Sequence, residues 1–348
     1  MLAFEIEIRK LRSLISMRPF TLIVVVLFCI YGLTCPVLTY AQTYFPAGLQ
    51  LSPNVVPNIL GGRSVTIFQS SYTQAELEQI QKSFQQIGID AEAYFPDDLI
   101  FSGREVTIAY SAYFSTRQIQ FIITLLKSHD GYEFVASSYS QSALIYDLNK
   151  AAWQVKNSNL TEMLRTVFQD SWNNQKKQNF LVNDYPEMDI RINPFKGVRY
   201  ELYAIDLKVD QLAVPKFGQQ EMDQQLEAFL KENYPLKYVL TNPGTDDQRL
   251  RSDGSLYVLC YVHTRGSIAR EVLGYDMTKA ETAYASITYP AGQLQLKTLP
   301  SGAPVYKFYF RHLVNGNIYL GPKWDADENW QDALRNHITG FKSEVKLR

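Results

Sequence analysis

Histidine and cysteine carry much of the chemistry that enzymes perform, and this sequence has four histidines and three cysteines. Cys260 and His263 lie three positions apart in an apolar segment, and a thiol beside an imidazole could form a nucleophilic pair. The segment is predicted to be a β-strand, however, and an odd offset places the two side chains on opposite faces of a strand. The spacing therefore argues against a Cys–His site.

The other three histidines have structural interpretations. His129 is expected near the C-terminus of a helix, where the helix dipole favours a cation. His337 falls on the apolar stripe of the last predicted helix and is expected to be a core residue. His312 is placed in a strand beside a hairpin.

Asp325, Asp327 and Asn329 have the spacing with which a calcium-binding loop begins. Trp330 occupies the sixth loop position, where glycine is needed, and Asn336 stands in place of the bidentate glutamate. We expect the acidic run to cap the final helix instead.

No compact catalytic motif is present: the sequence lacks G-x-S-x-G, H-E-x-x-H, C-x-x-C and the phosphate-binding P-loop. No cofactor and no metal are therefore predicted. Because catalytic triads are dispersed along a chain, a hydrolase with a dispersed site remains the less favoured hypothesis.

Composition and charge limit the class of protein further. Apolar residues make up 46% of the 348 positions, which is enough for a packed core and indicates about two domains. The formal net charge is -1, and no basic run is longer than the pair Lys176-Lys177. Nucleic-acid binding needs a concentrated basic surface, so it is not expected.

The N-terminus has the features of a secretory signal peptide, predicted at residues 1–41. Basic residues up to Arg18 precede the apolar run from Thr21 to Leu38, and small residues then end at Ala41. Cleavage there would export the chain to the periplasm or the medium.

Three alternatives about this segment stay open. Translation could begin at Met17, which would give a signal of ordinary length. Residues 21–38 are also long enough to act as an uncleaved membrane anchor, which would be the chain's contact with a membrane. A lipid on Cys35 is a third possibility. After cleavage Cys260 would be the last cysteine left, so no intramolecular disulfide is predicted.

Pattern analysis divides the rest of the chain, starting with an extended leader or linker at 42–62, which is rich in proline and glycine. Residues 63–140 follow the order βαββαβ, which predicts a ferredoxin-like module. Thr73 and Glu76 form a capping box at its first helix. The strands are expected at Val65–Gln69, Ile89–Phe95, Glu105–Tyr113 and Tyr132–Ser138, and the second helix at the stripe Ile119, Ile122, Ile123 and Leu126.

A helical connector is predicted at 141–195, followed by a second α+β domain at 196–348. This domain begins with an order similar to that of the first module and is expected to have a mainly antiparallel sheet. Asn315-Gly316 is typical of a hairpin turn, and a closing helix is predicted at about 327–341. The fold class expected for the whole chain is α+β.

One strand-to-helix junction occurs twice within residues 64–139. Its first copy is Val65-Thr66-Ile67 with Ser71-Tyr72-Thr73 and Ala75-Glu76-Leu77; its second is Val106-Thr107-Ile108 with Tyr113-Phe114-Ser115 and Arg117. With these junctions the segment resembles the sporulation-related repeat (SPOR) domain. The resemblance implies a ferredoxin-like fold that binds the glycan strands of peptidoglycan on its exposed sheet face.

Strand alternation indicates which residues would form that face, since Ile108, Tyr110 and Ala112 would point toward the helices. The other face would be polar with two aromatic rings, a combination that suits sugar hydroxyls and apolar sugar faces. The candidate ligand-binding residues are Thr66, Phe68, Thr107, Ser111, Tyr113 and Ser137. The alternative is that this face packs against the rest of the chain or is only solvated.

The sequence thus favours an exported cell-envelope protein with a non-catalytic binding or assembly role. Its partner would be peptidoglycan or an envelope protein. The alternative is a protein-interaction scaffold that uses aromatic strands such as Val305–Leu313, with Tyr306, Phe308 and Phe310, as a partner surface.

Overall fold

The computed structural model describes residues 48–174, 182–188 and 190–346. The predicted signal peptide and membrane-anchor segment lie outside these residues. Within the described ranges, no helix combines the length and the hydrophobicity needed to cross a bilayer. Residues Pro46–Arg348 form one compact unit, in which two α+β lobes share an interface.

The first lobe (residues 48–174) is built on six strands: β1 (Leu51–Ser52), β2 (Arg63–Phe68), β3 (Asp90–Pro96), β4 (Phe121–Ser128), β5 (Gly131–Ser138) and β6 (Ala152–Asn157). Their order in the sheet is β1-β6-β5-β4-β2-β3. β3, β2 and β4 are parallel, with β2 in the middle, and β5 and β6 continue the sheet as antiparallel strands. The sheet is therefore mixed.

Four helices cover this sheet: α1 (Gln74–Ile87), α2 (Asp97–Ile100), α3 (Arg104–Thr116) and α4 (Leu160–Asn174). α1 begins at the predicted capping box, in which Thr73 and Glu76 bond each other's backbone amides. α1 and α4 share one apolar core with β4 and β5. α3 covers the opposite face, where the Tyr110 ring lies 5.1 Å from that of Phe95. Both faces of the parallel strands are thus buried.

Two predicted elements of the ferredoxin-like module are wrong. α3 occupies the predicted strand Glu105–Tyr113, and β4 occupies the stripe predicted as the second helix. Val106, Tyr110 and Phe114 recur every four residues, which is the spacing that a helix buries on one side. The observed order is βαβαββ with a parallel centre, whereas a ferredoxin-like sheet needs βαββαβ.

The first lobe also extends past the boundaries expected for the module. In the predicted linker at 42–62, the described part packs on the lobe, with Ile59 and Leu60 buried and β1 paired with β6. β6 and α4 come from the predicted connector at 141–195, so its first half completes the lobe. Farther on, Glu187 bonds the backbone of the edge strand β3.

The second lobe (residues 199–346) has eight strands: β7 (Arg199–Tyr200), β8 (Gln211–Pro215), β9 (Tyr238–Thr241), β10 (Ser255–Arg265), β11 (Ala283–Thr288), β12 (Gln295–Pro300), β13 (Pro304–His312) and β14 (Ile318–Tyr319). Its helices are α5 (Gln220–Asn233), α6 (Asp247–Ser252), α7 (Gly266–Val272) and α8 (Trp330–Glu344). β11 and β12 form a separate two-stranded sheet. The other six strands form a mixed sheet, because β8 is parallel to β9 and β10, and the expectation of a mainly antiparallel sheet is wrong.

The two lobes share one topology. The second large sheet has the order β7-β14-β13-β10-β8-β9, which repeats the order of the first sheet strand for strand. Parallel and antiparallel pairs fall at the same places in both sheets. The second lobe differs by the insertion of α7, β11 and β12 between β10 and β13. The α+β class is thus confirmed, and the similarity expected between the two halves is present in this arrangement.

The aromatic strand considered as a partner surface is part of the core instead. Phe308 and Phe310 on β13 are 2% and 0% exposed and pack with α5 and α8. Tyr306 is half-buried and stacks on His263 at 3.7 Å between ring centroids. The predicted interaction surface at Val305–Leu313 is therefore wrong.

The free edge of β10 joins the lobes. β8 pairs with β10 only from Ser255 to Val258, so the rest of this edge needs other hydrogen-bond partners. The turn after α2 supplies one, since the His263 amide donates to the Ser102 carbonyl at 2.6 Å. The Thr264 hydroxyl donates to the Asp98 carbonyl at 2.6 Å. Backbone bonding therefore sets the position of one lobe on the other.

A buried arginine strengthens this interface. Arg311 on β13 is 7% exposed and donates two hydrogen bonds of 2.7 Å to Asp247 on α6. Its guanidinium also lies 3.4 Å from the carboxylate of Glu105 on α3, in the other lobe. Both acids hold the pKa of Arg311 above its ordinary value, against the effect of burial. Removal of this cation would leave the carboxylates of Glu105 and Asp247, which are 16% and 39% exposed, without their shared partner.

We expect Arg311→Met to lower the free energy of unfolding by about 2 kcal/mol, because it removes two charge-assisted hydrogen bonds and leaves the partly buried Glu105 carboxylate without a partner. The matched control is Arg249→Met, which removes an exposed ion pair with Asp253 and should cost less than about 1 kcal/mol. Urea unfolding of the full-length chain measures both. Equal losses in the two variants would contradict the role given to Arg311.

Candidate functional site

Three of the six candidate ligand-binding residues lie on a helix instead of a strand. Thr107, Ser111 and Tyr113 belong to α3, and each side chain is bonded within the protein. The Thr107 hydroxyl donates to the Ile100 carbonyl at 2.8 Å. Ser111 donates to the carbonyl of residue 142 at 2.8 Å. Tyr113 donates to the carboxylate of Glu187 at 2.6 Å. The predicted open sheet face does not include these three residues.

The other three candidates do lie on the sheet, but the sheet is covered. Thr66 on β2 and Ser137 on β5 are 0% and 1% exposed. Ser137 donates to the Ile122 carbonyl at 3.3 Å. Phe68, at the end of β2, is half-buried against the core of α1 and α4. Helices cover both faces of this sheet, so the structure brings the six residues together in no open surface, and the prediction of a ligand site there is wrong.

Cys260 and His263 lie on opposite faces of β10, as the strand pattern predicted. Cys260 packs beside Tyr309, which belongs to the core on the α6 and α7 side, whereas His263 stacks on Tyr306. Burial raises the pKa of the Cys260 thiol to about 12, and burial lowers the pKa of His263 to about 4. At neutral pH the thiol is therefore protonated and the imidazole neutral.

The calcium-like run also has structural roles. Asn329 caps α8, as expected, by accepting bonds from two backbone amides. Asp325 and Asp327 do not cap the helix: they pair with Lys307 and Lys297 at 2.6 and 2.9 Å. The ion pairs with lysine therefore account for both carboxylates without a calcium ion. Nowhere in the described ranges do three or more His, Cys, Asp or Glu side chains form a group that could hold a metal ion.

The remaining three histidines also have partners within the protein. His337 is fully buried on α8 and bonds Asp325 at 3.1 Å, which agrees with the predicted core position. His312 accepts a bond from the Val314 amide in the hairpin after β13. His129 lies in the turn between β4 and β5, not at a helix end, and pairs with Asp130 at 2.8 Å. No histidine therefore lines a cavity considered below.

An inter-lobe cavity of about 320 Å³ is the candidate site that the fold creates. Cavities between domains are where small-molecule sites most often occur. The walls come from α2 and α3 of the first lobe, from the segment that joins the lobes, and from α7 with the turn after it. The lining residues are Leu99, Tyr110, Arg191, Ile192, Asn193, Pro194, Phe195, Gly197, Arg199, Glu271, Val272, Leu273 and Gly274.

Tyr110 supplies the first polar group of this cavity. Its side chain is 0% exposed, and in the described chain no group accepts a hydrogen bond from its hydroxyl, whose oxygen faces the backbone N–H of Ile192. Burial raises the pKa of Tyr110 to about 12, so the hydroxyl stays protonated at neutral pH. A buried O–H group without an acceptor costs free energy, which an acceptor on a ligand would recover.

Arg199 supplies the second polar group. Its Nε donates to the Leu273 carbonyl at 2.6 Å, and Nη1 lies 2.9 Å from the carboxylate of Glu201. Nη2 is buried and has no partner among the described residues. The guanidinium also lies over the Tyr275 ring, 4.6 Å from its centroid. The side chain is therefore held in place while one of its donors stays free.

The other charges of the inter-lobe cavity are already paired. Arg191, on the joining segment, forms an ion pair with Glu271 on α7. The Asn193 side chain accepts a bond from the Phe195 amide at 3.0 Å. Apolar walls provided by Leu99, Val272 and neighbours complete the cavity. The arrangement can bind a small molecule with one polar end, because the free groups are both donors.

Two other cavities are less suited to a ligand. A groove of about 640 Å³ lies between α1 and residues 184–188, but Gln81 in its wall is bonded to Tyr94 and Asn183. A cavity of about 240 Å³ lies beside Asp325, whose carboxylate is paired with Lys307 and His337. Gln81 and the Asp325 carboxylate are thus engaged within the protein, although Nε2 of His337 beside Asp325 has no hydrogen-bond partner in the described chain.

Sequence reasoning did not find Tyr110 or Arg199. Tyr110 was placed among residues that pack on helices, which gave its hydroxyl no role. Arg199 precedes a strand of two residues and belongs to no motif. The one available signal was the charged pattern near 191–201, which is ordinary for a surface.

Comparisons with known proteins add no identification: no family model, no curated protein and no solved structure matches this chain. The candidate site therefore depends on the geometry described above.

We expect His263 to make the folded state less stable as the pH falls from about 6.5 toward 4. Its pKa is 6.5 in the unfolded chain and about 4 in the folded protein. Between these values the unfolded state binds the extra proton, so acid favours unfolding. His263→Phe, which keeps the ring stack, should remove about 2 kcal/mol of this pH dependence.

Urea unfolding at a series of pH values measures the slope. Asp97, whose pKa burial raises to about 7, acts in the opposite direction and is present in both proteins. The control His129→Gln changes an exposed histidine and should keep the wild-type slope. An unchanged slope in His263→Phe would show that this histidine is not desolvated.

Proposed function

We propose that the chain is an exported, non-catalytic binding protein of the cell envelope, whose ligand occupies the inter-lobe cavity. The observation that carries this proposal is that two residues lining one cavity, Tyr110 and Arg199, each have a buried hydrogen-bond donor without an acceptor in the described chain. Fourteen buried side-chain atoms lack a hydrogen-bond partner in the described chain, and these two differ from a core atom such as Tyr234 Oη because their residues line a cavity that a ligand could enter.

The lining of the cavity supports binding over catalysis. It includes no histidine, cysteine, serine or lysine, and its one carboxylate, Glu271, is engaged by Arg191. General acid–base catalysis needs a group of suitable pKa within reach of the substrate. Tyr110 does not meet this need at neutral pH, because its pKa is about 12. The hydrolase hypothesis thus receives no support from this site.

The sequence directs the choice of a first ligand. A signal peptide at residues 1–41 would direct the chain to the periplasm or the outside of the cell, where fragments of peptidoglycan occur. The fold of residues 64–139 differs from the ferredoxin-like fold that the SPOR resemblance implied, so the choice of ligand follows from export and from the cavity. The cavity volume suits a monosaccharide or a short peptide, so the proposed ligand is a fragment of cell-wall material and not a long glycan strand. Binding to an envelope protein would need another surface.

Export has its own test. We expect the full-length gene product, expressed in a bacterium, to appear in the envelope or culture fraction with Gln42 as its first residue, because signal peptidase cleaves after small residues such as Ala41. Intact-mass measurement of the fractionated protein identifies its N-terminus. Retention of residues 21–38 would contradict cleavage and favour the membrane-anchor alternative.

Tyr110→Phe tests the cavity itself. Loss of an unsatisfied buried hydroxyl should leave the free energy of unfolding unchanged or raise it by about 1 kcal/mol. Binding of soluble peptidoglycan fragments should weaken about tenfold, since a ligand hydrogen bond is lost. Titration calorimetry with single amino sugars and, separately, with short cell-wall peptides measures the affinity, because ligands of that size suit a cavity of about 320 Å³.

The matched control is Tyr234→Phe. Tyr234 is also buried, at 3% exposure, and its hydroxyl also lacks a partner in the described chain, but it lies in the core of the second lobe. This variant should bind as the wild type does. Equal weakening in both variants, or no binding by the wild-type protein, would contradict the proposed site.

A further inference from the structure

We infer that the inter-lobe cavity recognises an oxyanion, a carboxylate or phosphate group on its ligand, through Arg199 and Tyr110. The inference rests on the proposed function for the location of the ligand and adds the chemical class that the ligand must present. It is carried by an imbalance of donors and charge around the cavity.

The free polar groups at the cavity are donors. The protonated Tyr110 hydroxyl and Arg199 Nη2 both need an acceptor, and arginine has no acceptor atom. The side-chain acceptors of the lining are already occupied, since Glu271 is paired with Arg191 and the Asn193 oxygen accepts the Phe195 amide. A ligand group that only accepts hydrogen bonds would complete the set, and carboxylates and phosphates are such groups.

The arginines around the cavity also differ in how well their charges are paired. Arg191 is neutralised by Glu271, but Arg199 has only Glu201, whose side chain is 61% exposed and therefore a weak partner. Arg270 lies next to this site: its guanidinium is 5.3 Å from the centroid of the same Tyr275 ring that Arg199 covers. In the described chain, no acidic side chain lies within 4.0 Å of Arg270. The acids nearest to Arg199 and Arg270 are Glu201 and Asp276, and both are exposed, so they compensate the charge of the two arginines only weakly.

Several hydrogen-bond donors around these two arginines also lack an acceptor. Arg270 stacks on Tyr284 at 4.4 Å and lies 5.7 Å from the Trp324 ring centroid. Its Nε, the Tyr275 hydroxyl and the Trp324 indole N–H are buried without a partner among the described residues. Two like charges on one ring repel each other, and an anion bound by Arg199 would relieve that repulsion.

Arginine is well suited to this role, because its planar guanidinium matches the oxygens of carboxylate and phosphate. Two of the three nitrogen atoms of Arg199 are fixed by Leu273 and Glu201. The third is therefore held in place before a ligand arrives, which lowers the entropic cost of binding.

Simple anions test the inference without knowledge of the natural ligand. Sodium acetate, lactate, phosphate and sulfate are titrated into the full-length protein at constant ionic strength, with sodium chloride as the reference. We expect at least one oxyanion to raise the thermal unfolding midpoint above the chloride value, because it binds the folded state only. A rise in the midpoint with acetate and lactate, but not with phosphate, indicates a carboxylate on the ligand. A rise with phosphate or sulfate alone indicates a phosphorylated or sulfated ligand.

Arg199→Gln should weaken the binding of that oxyanion at least tenfold, since a charge-assisted bond is lost. The control Arg249→Gln removes an exposed arginine of α6 and should bind as the wild type does. If Arg199→Gln fails to fold, Tyr110→Phe gives the same test from the other donor, with Tyr234→Phe as its control. Wild-type affinity in both Arg199→Gln and Tyr110→Phe would overturn the inference, as would the lack of any oxyanion effect above chloride.

The result also separates this inference from the proposed function. Oxyanion binding without binding of peptidoglycan fragments would overturn the proposed ligand and support the oxyanion site. Fragment binding that Tyr110→Phe weakens and Arg199→Gln leaves unchanged would support the cavity and overturn the oxyanion inference.

Discussion

The position of the two lobes depends on the backbone of one strand that is longer than its neighbour. β10 continues past the end of β8, and its exposed edge has amide and carbonyl groups that must be bonded. The turn after α2 meets part of this need, because the Ser102 carbonyl accepts a hydrogen bond from the His263 amide. The Thr264 side chain adds a bond to the Asp98 carbonyl within α2. With that contact made, α3 faces α7 across the joining segment, and the inter-lobe cavity is the space left between them. The arginine network around Arg311 then holds the same arrangement from the side of α6.

Much of the second lobe could be predicted from sequence, because its elements have strong local signals. α5 has one clear apolar stripe, α8 begins after an asparagine cap, and Asn315-Gly316 lies in the turn between β13 and β14. The elements of the first lobe were harder to predict from sequence, because its central strands are buried on both faces. β4 is apolar without alternation, as strands of parallel sheets are, and its residues also fit a helical stripe. In α3 the residues Val106, Tyr110 and Phe114 fit both a strand and a helix, because offsets of four and eight share one face in either element. The exposed Ile108 fits only the helix, since a strand would bury it with them.

The candidate site could not be predicted, for a different physical reason. Its two free donors, Tyr110 and Arg199, are far apart in sequence and belong to different lobes. Neither residue has a pattern around it, and their proximity to one cavity follows from the way the lobes dock. The predicted site failed because it depended on a strand, Glu105–Tyr113, that is a helix. A site assembled at an interface thus needs the tertiary structure, even where the separate elements are recognised.

Some buried cations of this protein have a buried acid as a partner and others do not. This contrast explains why the inter-lobe cavity is the better candidate. In the second lobe, Lys307 is fully buried but has Asp325 at 2.6 Å and the Leu320 carbonyl at 2.6 Å. That cation has an acid and a carbonyl within the fold and needs no ligand. Arg199 and Arg270 share one aromatic ring and have no buried acid between them. Since an unpaired buried donor costs more than an exposed one, a fold that retains several at one place is best explained by an acceptor from outside.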